Sequence, residues 1–172
     1  MGNRIITLLS KTEDVVLTGA VERQGHPLLG KDIGEAVGLG TLGVQVVDDL
    51  SKVLSAGDIV IDFTHIDSAI RHIEMVMAVS KAIVVGTTGF DDVHITRIRK
   101  QAENGKCLVA PNMSVGVNLL FKLAGEVARV LGDSFEVEIL EAHHNQKKDA
   151  PSGTAMKLGQ EVAEALGRDL SK

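Results

Sequence analysis

The feature that most constrains this chain is a set of short, uninterrupted apolar runs, rich in β-branched residues and separated by stretches with helical spacing. The runs cover residues 15–21 (VVLTGAV), 44–47, 59–63 (IVIDF), 82–85 (AIVV) and 107–110. Continuous rather than alternating hydrophobicity marks strands covered on both faces, as in a parallel sheet. Between the runs, Ala69, Ile70, Ile73, Val76 and Met77 recur at three- and four-residue steps, as do Val93 or Ile95, Ile98 and Ala102. That spacing lays an apolar stripe along a helix. Strand–helix–strand units of this size imply right-handed crossovers, so the expected architecture is α/β with a doubly wound parallel sheet.

A second region begins near Ser114. Residues 114–131 read as a helix with Leu119, Leu120, Leu123, Val127, Val130 and Leu131 on one face. Residues 135–140 alternate Phe135, Val137 and Ile139 with Glu136, Glu138 and Leu140, the pattern of a strand with one exposed face. A last helix follows, with Leu158, Val162, Ala165 and Leu166 inward. The change from continuous to alternating strands divides the chain into residues 1–113 and 114–172. The chain opens directly on a helix, residues 3–11, and stops just after another. The expectation is therefore that the first strand of the first sheet and most of a smaller α+β second domain lie outside these residues.

Composition excludes several classes. At 172 residues with 44% hydrophobic and 24% charged side chains, the chain has the balance of a soluble globular protein. No apolar run approaches the roughly 18–20 residues of a membrane span, which argues against a membrane partner. The N-terminus has no cleavage site of the secretory kind. A single cysteine, Cys107, excludes an internal disulfide and fits a reducing, cytoplasmic compartment. A net charge of −5, four Phe, and no Tyr or Trp leave neither a basic face nor a stacking platform for nucleic acid.

Three segments carry chemistry. A dinucleotide fold places a Gly-rich turn before its first helix and an acidic residue about 20 positions later, at the end of the second strand. Here Gly2 opens the first helix and Glu22 ends a strand 20 residues on, with Arg23 beside it. Glu22 would accept hydrogen bonds from ribose hydroxyls, whereas Arg23 would pair with a 2′-phosphate. The alternative, that both are polar turn residues, stays open, since the rest of the glycine fingerprint is not present. Next, Gly86, Thr87, Thr88, Gly89 and Phe90 follow the run 82–85, and Pro111, Asn112, Met113 and Ser114 follow 107–110. Ligands of open α/β sheets sit at such carboxyl ends, although GTTG also suits an ordinary turn. Finally, EAHHNQKKDAPSGTA (residues 141–155) sets two His and two Lys before a helix that Ser152 can cap. Unpaired N–H groups and the positive end of the helix dipole make its N-terminus an anion site. Histidine beside lysine fits a proton donor. Neighbouring His on a strand point apart and no Cys is near, so no metal site is expected.

EAHHNQKKDAPSGTA resembles the signature of the 4-hydroxy-tetrahydrodipicolinate reductase (dihydrodipicolinate reductase) family of bacterial lysine biosynthesis. The likeness extends, in the family's order, through VERQGHPLLGKDIG, VIDFT, VVGTTGF and APNMSVGVNLLFKLA, essentially the whole chain. The resemblance implies a Rossmann-like domain that binds NADH or NADPH, and a domain that binds a small dicarboxylate and builds a homotetramer. It implies His143 as proton donor, Lys147 as second acid, and His144, Gly153 and Thr154 as holders of the substrate's carboxylates. Glu22 and Arg23 match the adenosine-ribose end. Gly86, Thr87 and Thr88, with Ala110, Pro111, Asn112 and Met113, match the loops around the nicotinamide half. Met1 and Gly2 match the final Met-Gly of the family's pyrophosphate loop, Gly-x-x-Gly-Arg-Met-Gly, whose earlier part has no counterpart in these residues.

Two functions of different class follow. One is reduction of a cyclic dicarboxylate by a pyridine nucleotide, with His143 protonating the ring. The other is a non-catalytic product that retains the signature, the reading favoured by the shortened glycine loop.

Overall fold

The structure, a computed structural model, describes residues 1–103, 105–143, 145 and 150–170. The chain folds as two units, Met1–Val109 and Ala110–Lys172.

The first unit runs α1 (Gly2–Leu9), β1 (Ala20–Val21), α2 (Ile33–Val37), β2 (Val46–Val47), β3 (Ile59–Asp62), α3 (Ile66–Ala78), β4 (Ala82–Val85), α4 (Asp92–Ala102) and β5 (Lys106–Val109), with two 3₁₀ turns, Leu50–Lys52 and Leu54–Ala56, instead of an α-helix between β2 and β3. The ladders between the described strands are parallel, and an isolated antiparallel bridge joins Asp32 and Gln45. β1 pairs with β2, Ala20 opposite Val46. A second sheet runs β3-β4-β5, with Ile59 opposite Ala82 and Ala82 opposite Lys106. The α/β architecture expected from the continuous runs is the one observed.

The core lies on one face of the three-stranded sheet. Ile83 and Val85 of β4 meet Ala69, Ile70, Ile73 and Val76 of α3 and Ile98 of α4. Ile73 and Val76 are fully buried, and each such side chain contributes about 1.5–3 kcal/mol. α4 begins with a capping box between Asp91 and His94, and its Arg97 pairs with Glu74 of α3 at 2.5 Å. The opposite face differs from expectation, because Ile59, Ile61 and Leu108 are 61%, 44% and 56% exposed. Burial on both faces therefore does not hold for β3 and β5.

The first two expected strands are also shorter than their apolar runs. Residues 15–19 form no strand, and Val15 and Val16 are exposed. Among the described residues no neighbouring strand takes up the backbone groups there, and an apolar run without a partner is not a strand. The run 44–47 is strand only from Val46. Leu42 N and Val44 N instead donate to the Asp32 carboxylate at 3.0 and 3.1 Å. Asp32 also accepts from Gly34 N and so caps α2.

The second unit comprises α5 (Val115–Leu131), a 3₁₀ turn at Gly132–Ser134, and α6 (Gly153–Ala165). Ser114 caps α5 and Ser152 caps α6. The helices meet at Gly125, where a Cβ would lie 3.6 Å from Glu161 O. Phe121, Gly125 and Ala128 of α5 and Gly159, Val162 and Ala163 of α6 are buried. Two expectations are corrected here. Leu119, Leu120, Leu123, Val127 and Val130 are each more than half exposed, so the leucine face of α5 is not the one that packs on α6. Residues 135–140 are exposed and form no strand; their alternation has no partner strand among the described residues, and pairing, not pattern, completes a sheet.

Candidate functional site

The parallel pair β1–β2 and strand β3 of the other sheet end at one cavity of about 640 Å³. β1 delivers Glu22 and Arg23, β2 delivers Asp48 and Asp49, and β3 delivers Phe63, Thr64 and His65; Lys52, Arg71 and His72 complete most of the wall. The crevice beyond the carboxyl ends of strands is where open α/β sheets bind ligands.

The charges in the cavity are ordered. Glu22 N donates to Val47 O, which extends the β1–β2 pairing, and Arg23 N donates to Glu22 Oε2 at 3.0 Å. The Lys52 ammonium donates to Asp48 at 2.5 Å. That bond holds the Asp48 carboxyl below its ordinary range and raises Lys52. Asp49 accepts from Ser51 N, and its bonds to Ser51 lower it as well. Arg23 and Arg71 add two guanidiniums to this wall, and the charge of Arg71 helps to lower the Asp49 carboxyl.

Behind the cavity, Asp62 is 3% exposed and bonded to Thr64, His72 and Thr87. Burial alone would push its carboxyl up, but the bonds from His72 and Thr64 outweigh that and hold it below its ordinary value. Thr87 is buried in this network, Thr88 is exposed, and Gly86 donates its N–H to Asp62 O. A Cβ at Gly86 would lie 2.1 Å from Phe63 Cε1, so any larger residue there would force the Phe63 ring to move. Burial raises the Cys107 thiol, which leaves it a packing residue.

In the second unit Ser152 is 2% exposed and accepts from Ala155 N at 3.0 Å, while its own N–H donates to Glu141 Oε1 at 2.8 Å. Glu141 Oε2 lies 3.4 Å from His143 Nδ1. One carboxylate thus joins the start of α6 to the expected proton donor. Asn112 Nδ2 donates to Thr154 Oγ1 at 3.1 Å, and the Asn112 backbone carbonyl accepts from Asn118 Nδ2.

Several expected residues therefore come together: Glu22 with Arg23, Thr87 with the turn after β3, and Asn112 with Thr154 in the first turn of α6. Gly153 lies in that same turn. Ala110 is half-buried, while Pro111 and Met113 are exposed near Asn112 in sequence. Met1 is exposed and only precedes α1, where its carbonyl accepts from Arg4 and Ile5. His144 and Lys147 lie outside the described residues. Sequence reasoning missed Asp62, His72, Arg71 and Glu141. The DFT triplet was in view, but nothing linked Asp62 to a histidine ten positions on.

Two family models match the chain: "Dihydrodipicolinate reductase, N-terminus" over residues 1–113 and "Dihydrodipicolinate reductase, C-terminus" over 116–171. The 4-hydroxy-tetrahydrodipicolinate reductase of Syntrophus aciditrophicus (strain SB) is 53% identical over all 172 residues, and that of Geotalea uraniireducens (strain Rf4) is 49% identical. In both cases the chain spans 64% of the relative's length. Among solved structures, the dipicolinate-bound dihydrodipicolinate reductase from Paenisporosarcina sp. TG-14 matches 96% of this chain and 62% of its own, with a TM-score of 0.72 at 29% identity.

Proposed function

The chain belongs to the dihydrodipicolinate reductase family, and from that premise we propose that it serves the NADH- or NADPH-dependent reduction of 4-hydroxy-tetrahydrodipicolinate to tetrahydrodipicolinate in lysine (diaminopimelate) biosynthesis. The observation that carries the reading is the cavity where β1, β2 and β3 end together, with Glu22, Arg23 and Arg71 in its wall. A carboxylate for ribose hydroxyls beside guanidiniums for phosphate fits one end of a pyridine nucleotide. When bound, the nucleotide supplies hydride, so no protein nucleophile is needed.

On this reading residues 1–113 bind the dinucleotide and residues 114–172 begin a substrate-binding and tetramerisation domain. Glu22 and Arg23 hold the adenosine ribose, and Met1 lies toward the pyrophosphate. Gly86, Thr87, Thr88 and Ala110 to Met113 border the nicotinamide half. His143 gives a proton to the substrate ring, oriented by Glu141, and Lys147 is the second acid. The two substrate carboxylates are met by His144 and by Gly153 and Thr154 at the N-terminus of α6, where the helix dipole suits an anion. The dipicolinate held by the solved relative, itself a ring dicarboxylate, supports this assignment. The protein works as a cytoplasmic homotetramer, a reading in keeping with the exposed leucines of α5. No described helix is long and apolar enough to cross a membrane.

Nucleotide titration tests the reading directly. The chain has no Trp and no Tyr, so emission from added NADH or NADPH is seen without protein background. Saturable enhancement that Arg23→Ala or Glu22→Ala weakens is the expected result. Unchanged emission up to millimolar protein overturns the nucleotide assignment.

A further inference from the structure

Among the described residues of the first unit, the buried polar side chains are Asp62, His72 and Thr87, at 3%, 8% and 6% exposure, and all belong to one network. Asp62 ends β3, His72 sits in the middle of α3, and Thr87 follows β4. Asp62 Oδ1 accepts from Thr64 N at 2.9 Å, Thr64 Oγ1 at 2.8 Å and Thr87 Oγ1 at 3.1 Å. Oδ2 takes one donor, His72 Nδ1, at 2.5 Å. An ionised carboxylate only accepts, so the proton of this bond is on Nδ1. Thr87 also lies 3.3 Å from Thr64 O, and Gly86 N donates to Asp62 O at 2.8 Å. The turns after β3 and β4 are thus fastened to each other, and the bond from His72 ties both to α3.

We propose that His72, acting through Asp62, is a positioning residue of the nucleotide site: it holds residues 63–65 and Gly86–Thr87 in the single arrangement that shapes the cavity wall. The proposal rests on the reading of that cavity given above. Loss of the imidazole leaves Oδ2 without a donor at a buried position. The carboxyl group must then rotate or take up a proton, and either change loosens the bonds to Thr64 and Thr87. The disturbance reaches Phe63, Thr64 and His65, which line the cavity.

The test compares His72→Leu, His72→Asn and Val76→Ala with the wild-type chain. Asn keeps a side-chain N–H near the Nδ1 position, and Val76 is fully buried on the same helix but outside the network. Amide exchange of segments 62–66 and 85–90, and NADH and NADPH affinity, are measured alongside melting temperature. His72→Leu is expected to speed exchange in both segments and weaken nucleotide by about tenfold, the loss appropriate to a hydrogen bond to a charged group. His72→Asn should stay within about threefold of wild type, because the bond to Asp62 is retained. Equal effects of His72→Leu and Val76→Ala at matched loss of melting temperature overturn the proposal in favour of general stability. Failure of Asn to rescue overturns it too, since His72 would then act by direct contact. Selective opening of both turns in a chain whose wild type binds neither nucleotide supports the clamp and refutes the cavity's assignment.

Discussion

Gly86→Ala is the most direct probe of how the turn after β4 is built. A Cβ at this position would lie 2.1 Å from Phe63 Cε1, 2.3 Å from Cζ and 2.7 Å from Cδ1. Ordinary carbon–carbon contacts lie near 3.5–4.0 Å, so the ring must retreat by roughly 1.5 Å. The φ of Gly86 is not positive, so the penalty is steric rather than conformational. Overpacking of this kind costs about 1–3 kcal/mol. For a unit of this size each kcal/mol lowers the melting point by roughly 4–8 °C. The ring borders the cavity, so its displacement narrows the proposed nucleotide site as well.

Melting followed by circular dichroism, together with nucleotide titration, reads both effects. Gly86→Ala is expected to melt about 4–24 °C lower and to bind nucleotide more weakly. Phe63→Leu in the Gly86→Ala background should recover part of the melting temperature, because a smaller side chain vacates the Cβ position. A Gly86→Ala chain with unchanged melting point and affinity refutes the argument, for the turn would then be loose enough to absorb a methyl group.

Three further outcomes are expected. Arg23→Ala should weaken NADPH more than NADH and Glu22→Ala the reverse; an unaltered ratio of the two affinities would remove both residues from the ribose end. Hydrogen bonds from His72 and Thr64 hold the Asp62 carboxyl below its ordinary value, so its ionised form contributes stability that is present above the unfolded-state pKa and lost as pH falls through the lower folded-state one. Asp62→Asn should therefore be less stable than wild type at neutral pH, and the gap should close in acid melts; a constant gap means that the charge contributes nothing. In turnover assays His143→Gln should lower kcat by about 10²–10⁴-fold, whereas Thr154→Val should chiefly raise KM. If His143→Gln raises only KM, the residue binds and does not donate a proton.

The parts of the fold legible in sequence are those whose signal is complete within one segment. Ala82–Val85 is strand at the expected bounds because its β-branched run is flanked on both sides by partners. The stripe Ala69, Ile70, Ile73 and Val76 on α3 is buried as its spacing requires. Residues 15–19 and 135–140 carry strand-like patterns yet form none, because strand formation depends on a neighbour that composition does not report. The leucine face of α5 illustrates a related limit. Periodicity identifies which residues share a face, but Phe121, Gly125 and Ala128 decide the packing because Gly125 permits close approach to α6.

The candidate site divides along the same line. Residues expected to touch a ligand stand on turns: Glu22 and Arg23 after β1, Thr87 after β4, and Gly153 and Thr154 opening α6. A turn residue is conspicuous in sequence because Gly, Thr and charged side chains cluster there. What holds the turns is harder to see. Asp62 and His72 come from a strand and a helix ten residues apart, and each is unremarkable alone; together they satisfy a carboxylate that would otherwise be costly to bury. Glu141 has the same character, since one oxygen holds Ser152 N at the start of α6 while the other faces His143. In both units a buried or half-buried carboxylate joins a histidine to the turn that would meet the ligand. The carboxylates therefore control two properties at once, the aim of an imidazole and the geometry of backbone donors. Substitutions that remove only a link behind these turns, such as Glu141→Gln in the second unit, should on this argument still alter binding.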